Sequence, residues 1–267
     1  MRKSLIYLTV SLFIFFISSC DSSDDGANEP TDGSSAAQYY PGAVGTTYKY
    51  QGEVTDSSGT SSTYLRDVNY ISQQAQNGRT YIVQSNIITA GSQTTTGSFL
   101  FRTTTTGVFV YVDASGLEDL LDSIDTGEIQ IDISADPEVK LLSYPFDSSP
   151  EWDVFNVDVE AYNGLVTLNA LNLKGHYRGQ ENVSVISQNM TAEKIEYIAT
   201  IKIPESIEDI ANPQTYTVSA FAWYVKDVGL VKLEGSGLLA NAFIGGDINL
   251  EGEGGTVSEV LVNYNIQ

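Results

Sequence analysis

The chain has 267 residues, 42% apolar and 10% aromatic, which suits one large β domain or two small ones with a sizeable core. Thirteen basic residues against 34 acidic ones give a net charge of −21, so the chain repels nucleic acid and anionic headgroups, and no nucleic-acid partner is expected. One cysteine leaves no internal disulfide, and one histidine argues against zinc.

Arg2 and Lys3 open the chain, and residues 5–17 follow as an almost unbroken apolar run. The run is too short for a membrane span, and small residues close it, so residues 1–19 read as a secretory signal peptide. Ile17-Ser18-Ser19-Cys20 resembles the lipobox of bacterial lipoproteins. That resemblance implies cleavage before Cys20, with lipid on its thiol and on the new amino terminus. Cys20 is the expected lipidation site, and the membrane is an expected partner through it. Loss of Arg2 and Lys3 leaves 11 basic against 34 acidic residues, or −23, so attachment rests on acyl chains rather than a basic patch.

Residues 20–38 form the lipidated cysteine and an acidic tether, with no aliphatic side chain larger than alanine after Cys20. Such a stretch cannot bury enough surface to offset its lost entropy. Asp24-Asp25 reads either as solvated linker or as resembling the acidic export signals of Bacteroidota-type surface lipoproteins. The expected location is the bacterial outer membrane, facing the periplasm or the cell surface.

Residues 39–267 read as a single antiparallel β domain. Strand-like runs rich in Tyr, Thr, Val and Ile fall at 46–55, 63–73, 80–88, 97–103, 107–112, 128–133, 139–142, 153–161, 165–173, 183–187, 192–203, 215–225, 230–234 and 257–265. Asp56-Ser57-Ser58-Gly59, Gln76-Asn77-Gly78 and Asp227-Val228-Gly229 read as hairpin turns. In 192–203, Ile195, Tyr197, Ala199, Ile201 and Ile203 share one face. Residues 216–225 are apolar on both faces, which predicts a covered, mid-sheet strand with a buried Trp223. Helix is expected at 115–124, where Ser115 and Glu118 form a capping box, and as a short turn at 205–210. The expected architecture is one large, strongly curved antiparallel sheet or half-barrel with one or two short helices; the alternative is a β-sandwich.

No catalytic residue, cofactor or metal site is expected. His176 lies in Lys174-Gly175-His176-Tyr177-Arg178, read as a solvated hairpin tip. No Gly-x-Ser-x-Gly elbow or phosphate loop is present. The acidic run 113–138 lacks calcium-loop spacing and reads as a solvated face. Aromatics are the stronger lead: Tyr48, Tyr50, Trp152 and Trp223 are candidate ligand contacts for a lipid or glycan, or else core packing.

Four segments together resemble a broad group of uncharacterised bacterial lipoproteins. They are Tyr39-Tyr40-Pro41-Gly42-Ala43-Val44-Gly45-Thr46-Thr47-Tyr48-Lys49-Tyr50, Leu141-Leu142-Ser143-Tyr144-Pro145-Phe146 with Trp152, Trp223-Tyr224-Val225-Lys226-Asp227-Val228-Gly229-Leu230-Val231-Lys232, and Val257-Ser258-Glu259-Val260-Leu261-Val262-Asn263-Tyr264. Tyr48 stands where the group usually has tryptophan. The resemblance implies a LolA/LolB-like curved sheet and offers no active-site residue to carry over. The expected function is a membrane-anchored, monomeric binding domain without catalysis, for an apolar or amphipathic ligand or a partner protein. The alternative is a surface adhesin or glycan-binding β-sandwich, with a carboxylate-dependent glycan hydrolase as a third reading.

Cys20→Ser is expected to abolish acylation and leave a soluble or unprocessed protein. Membrane fractionation with an unchanged mature amino terminus would show that the lipobox is not the anchor.

Overall fold

The computed structural model describes residues 35–112, 131–135, 137–161, 166–203, 212–244 and 255–267. The signal segment, Cys20, tether residues 21–34, the helix expected at 115–124 and the turn at 205–210 lie outside the described residues, as does most of the acidic run.

Among the described residues, thirteen strands form one antiparallel sheet. They are β1 (Thr47–Thr55), β2 (Ser61–Gln76), β3 (Arg79–Ala90), β4 (Gln93–Thr103), β5 (Gly107–Tyr111), β6 (Ile131–Ala135), β7 (Glu138–Ser143), β8 (Glu151–Ala161), β9 (Val166–Val185), β10 (Gln188–Ile203), β11 (Gln214–Val225), β12 (Gly229–Ser236) and β13 (Thr256–Asn265). The order is β6-β8-β9-β10-β11-β12-β13-β1-β2-β3-β4-β5-β7. Two meanders therefore meet where β13 pairs with β1. The sheet curls almost into a barrel. Its β7 edge returns to the other meander, where Trp152 Nε1 donates to Lys140 O at 2.9 Å and Tyr197 Oη to Leu141 O at 2.8 Å. One sheet, rather than two, rules out the sandwich architecture.

The inward face follows the period of two. Tyr48, Tyr50 and Val54 point inward from β1, and Tyr64, Arg66, Val68 and Tyr70 from β2. The three expected hairpin turns form. Asp56 Oδ1 accepts from Ser58 N at 2.8 Å and Thr60 N at 2.9 Å, while Asn77 and Gly78 both take positive φ. Gly229, at φ +105°, sits where a β-branched residue would be strained. β11 is central, between β10 and β12, and Trp223 is buried, as its two apolar faces imply; toward Tyr216 the strand becomes exposed.

Three expectations are corrected. His176 is not at a hairpin tip: β9 runs unbroken over Val166–Val185, joining most of the two expected runs, and His176 lies within it, half-buried, with Nδ1 3.5 Å from Glu151 Oε2. Gly175, which suggested a turn, instead leaves room for the Trp152 ring, which would lie 2.3 Å from a Cβ there. The true tip is Ile186-Ser187, both at positive φ, a turn that neither residue type announces. The tether ends earlier than expected, because Ser35 caps a 3-10 turn over Ala36–Gln38, Ala36 is 1% exposed, and its N–H donates to Thr105 O. A helix, α1 (Gly237–Ile244), was not expected. Leu239, Ala240 and Ile244 are all fully buried, so its sequence carries no polar stripe to mark a helical period.

On the sheet's opposite face, Tyr81, Leu100 and Tyr111 make a small second core. Glu138 of edge strand β7 crosses to it, bonding Arg102, Arg79 and the Tyr81 hydroxyl. Burial pushes the Glu138 carboxyl up, but hydrogen bonds from Arg102 and Tyr81 and the charges of Arg102 and Arg79 outweigh it and hold it below the usual glutamate value. A depressed folded-state pKa contributes stability above the unfolded value of about 4.3 and loses it as pH falls further. Wild-type urea midpoints should therefore drop more steeply than those of Glu138→Gln as pH falls from about 5 to 3. Parallel profiles would show that the cluster contributes nothing.

Candidate functional site

Among the described residues, the sheet encloses a polar and aromatic cluster. Arg66 of β2 is 2% exposed and Glu259 of β13 is 1% exposed. They form a two-point ion pair: Arg66 Nε donates to Glu259 Oε2 at 2.9 Å, and Nη2 to Oε1. Neighbouring polar groups join the pair, although Asn86 Nδ2 has no partner among the described residues. Arg66 Nη1 donates to Asn86 Oδ1 at 3.1 Å, Tyr64 Oη to Glu259 Oε2 at 3.0 Å, and Gln84 Nε2 to Asn86 Oδ1 at 3.0 Å. The Arg66 guanidinium also lies 4.3 Å from the centre of the Tyr50 ring. Burial disfavours the arginine's charge, but Glu259 outweighs it and raises its pKa. Burial likewise pushes the hydroxyls of Tyr40, to about 12, and of Tyr50 and Tyr70 up, so they stay neutral at physiological pH.

Tyr48 and Tyr50 meet here, their ring centres 6.2 Å apart. With Tyr40, Arg66, Gln84 and Phe243 they line a cavity of about 20 Å³, room for roughly one water. The Tyr48 hydroxyl is buried and unbonded among the described residues, and a single water would satisfy it. The other two candidate contacts lie elsewhere. Trp152 sits at the barrel seam over Gly175, edge-on to Tyr197. Trp223 is on the outer face, between Lys194 and Lys232, whose ammonium groups lie 4.9 and 4.4 Å from its ring centre, and it donates to Glu181 at 3.2 Å. The four aromatics therefore do not line one pocket.

A second constellation lies where the opening 3-10 turn, the segment after β7, and strands β9 and β10 converge. Phe146 is packed among Tyr39, Tyr144 and Tyr177, at centroid distances of 5.0, 5.4 and 5.3 Å. The three tyrosines are half-buried. Glu193, only 8% exposed, lies beneath them. Its Oε2 accepts from Tyr177 Oη at 2.7 Å, and its Oε1 from Gln180 Nε2 at 3.0 Å and Tyr39 Oη at 3.4 Å. Burial and the neighbouring Glu193 push the Tyr39 hydroxyl up to about 12. The sequence reading missed Arg66, Glu193 and Glu259, although each occupies an inward position in an otherwise apolar alternation.

Removing one partner of the interior pair leaves a buried charge uncompensated, which costs about 3–5 kcal/mol. Arg66→Met should lower stability by that order in urea melts, and Arg66→Met with Glu259→Leu should recover much of it. A single variant within about 1 kcal/mol of wild type would mean that water reaches the pair.

No family model and no curated protein sequence matches this chain. Three solved structures resemble it. A candidate lipoprotein from Parabacteroides distasonis is 15% identical, with a TM-score of 0.45, over 85% of this chain and 98% of its own. A candidate exported protein with YmcC-like fold from Bacteroides fragilis is 10% identical, with a TM-score of 0.42, over 84% and 96%. The hypothetical lipoprotein YmcC from Escherichia coli is 10% identical, with a TM-score of 0.28, over 81% and 84%.

Proposed function

We propose that this protein is a cell-envelope lipoprotein, held at the outer membrane by lipid on Cys20, whose β domain binds a partner protein through its surface and performs no catalysis. The observation that carries the choice of surface over interior is the polar filling of the sheet among the described residues. A carrier of acyl chains needs an apolar cavity of several hundred Å³. The cavity here is about 20 Å³ and is walled by Arg66, Gln84 and tyrosine hydroxyls. Desolvating an ion pair beside an acyl chain is unfavourable, so the apolar-ligand reading is the weaker of the two.

The chemistry of the side chains points the same way. The lone histidine pairs with exposed Glu151 rather than with a serine or cysteine. Among the described residues, the buried carboxylates are engaged by arginine, tyrosine or glutamine rather than facing each other across a cleft. The lipid anchor then positions a binding surface, not a catalyst.

Native mass spectrometry of protein extracted in mild detergent tests this. The expected spectrum shows the chain and its covalent acyl groups alone. A stoichiometric, non-covalent lipid that survives exchange of the detergent would overturn the surface-binding reading in favour of a carrier.

A further inference from the structure

A buried carboxylate is normally matched by a cation, and among the described residues this chain follows that rule at two places and departs from it at a third. Glu259 has Arg66, and Glu138 has Arg79 and Arg102. Glu193, 8% exposed, makes no ion pair among the described residues; its hydrogen bonds come from Tyr177, Tyr39 and Gln180. No other part of the domain can supply the missing charge. Every lysine and arginine after Lys3 falls within the described residues, and the lone histidine lies against Glu151.

The surroundings of Glu193 suit a cation from outside. Tyr39 and Tyr177, whose hydroxyls donate to it, pack with Tyr144 and Phe146 into one aromatic cluster beside it, three of the four rings half-buried, and aromatic faces attract cations most strongly where water is thinned out. The carboxylate's two oxygens offer about four acceptor positions, and three are taken. One open position suits the point charge of an ammonium and not the two-pronged guanidinium. The chain's charge of −21 favours a basic partner over a neutral one.

We propose that the rim formed by Tyr39, Tyr144, Phe146 and Tyr177 over Glu193 is a recognition site for a lysine side chain of a basic partner protein. The inference rests on the surface-binding reading above and names the chemistry of that partner. On docking, the lysine ammonium takes the open position on Glu193 while its methylene stem lies along the tyrosine rings.

The test uses the acylated protein in detergent micelles and an acetylated, amidated peptide of alternating glycine and lysine, titrated by calorimetry at low salt. Its counterpart with norleucine in place of lysine is titrated alongside. Wild type should bind the lysine peptide and not the norleucine one. Glu193→Gln should weaken binding at least about tenfold, whereas Glu53→Gln, which removes an equal charge from an exposed position on β1, should change it less than about twofold. Should Glu193→Gln fail to fold by circular dichroism, Tyr39→Leu, which keeps the carboxylate and removes a ring face, should weaken binding severalfold. Equal losses in Glu193→Gln and Glu53→Gln, or no binding by wild type, would overturn the site. Binding to phosphatidylethanolamine vesicles, lost in Glu193→Gln, without binding to the peptide would overturn the protein partner and assign the ammonium to lipid. A non-covalent lipid in the native spectrum would instead defeat the surface-binding reading and leave the peptide titration to stand separately.

Discussion

The pairing of Arg66 with Glu259 constrains the whole interior. Neither group leaves water alone without a penalty of several kcal/mol, so the two must arrive together and with their other valences met. Their strands, β2 and β13, are not neighbours; β1 lies between them. The bridge across β1 depends on Gly52. A Cβ there would lie 2.1 Å from the Tyr64 ring, which passes over the glycine to reach Glu259. Gly175 does the same at the barrel seam, where Trp152 lies over it toward Tyr197. In both places a missing side chain lets an aromatic span three strands, and the sheet is tied across its width by side chains as well as by its ladder.

Much of the sheet was legible because its strands obey simple alternation. β10 and β11 read correctly from Ile195, Tyr197 and Ala199 and from the doubly apolar stretch around Trp223. What misled were local signals with tertiary meanings. Gly175 has the composition of a turn and the role of a packing gap. Ile186-Ser187 turns at positive φ without glycine, asparagine or aspartate, while helix Gly237–Ile244 has a single polar residue, Asn241, and so lacks the polar stripe by which helices are recognised. The candidate contacts were chosen for being aromatic. The more informative positions were the polar ones in apolar register: Arg66 between Tyr64 and Val68, Glu259 between Val257 and Leu261, and Glu193 two residues before Ile195. Parity alone marks them as inward-facing, but their partners lie 13 to 195 positions away and only the fold reveals them.

Scarcity of cations gives each one a defined role. With 11 basic residues after the first three, the chain invests three arginines in two buried carboxylates. Lys194 and Lys232 cover Trp223 on the outside, so an indole on the convex face is shielded by lysine stems rather than by apolar neighbours. Most of the acidic surface is left without counter-charges from its own chain. Such a surface keeps copies of the protein apart and speeds encounter with anything basic.

The pairing of β13 with β1 has a consequence for how the molecule comes into being. Nearly the whole chain separates these two neighbours, so the first meander can form its hairpins as they emerge but must wait for the last strand to cover the outer edge of β1. Until then Glu259 is absent and Arg66 has no carboxylate to accompany it indoors. The first half of the sheet must therefore stay loose and hydrated around its arginine. Closure is a late, chain-spanning event of the kind that makes high-contact-order proteins slow to fold. A polypeptide that must cross a membrane before it folds gains from such an arrangement, because no premature core resists its passage.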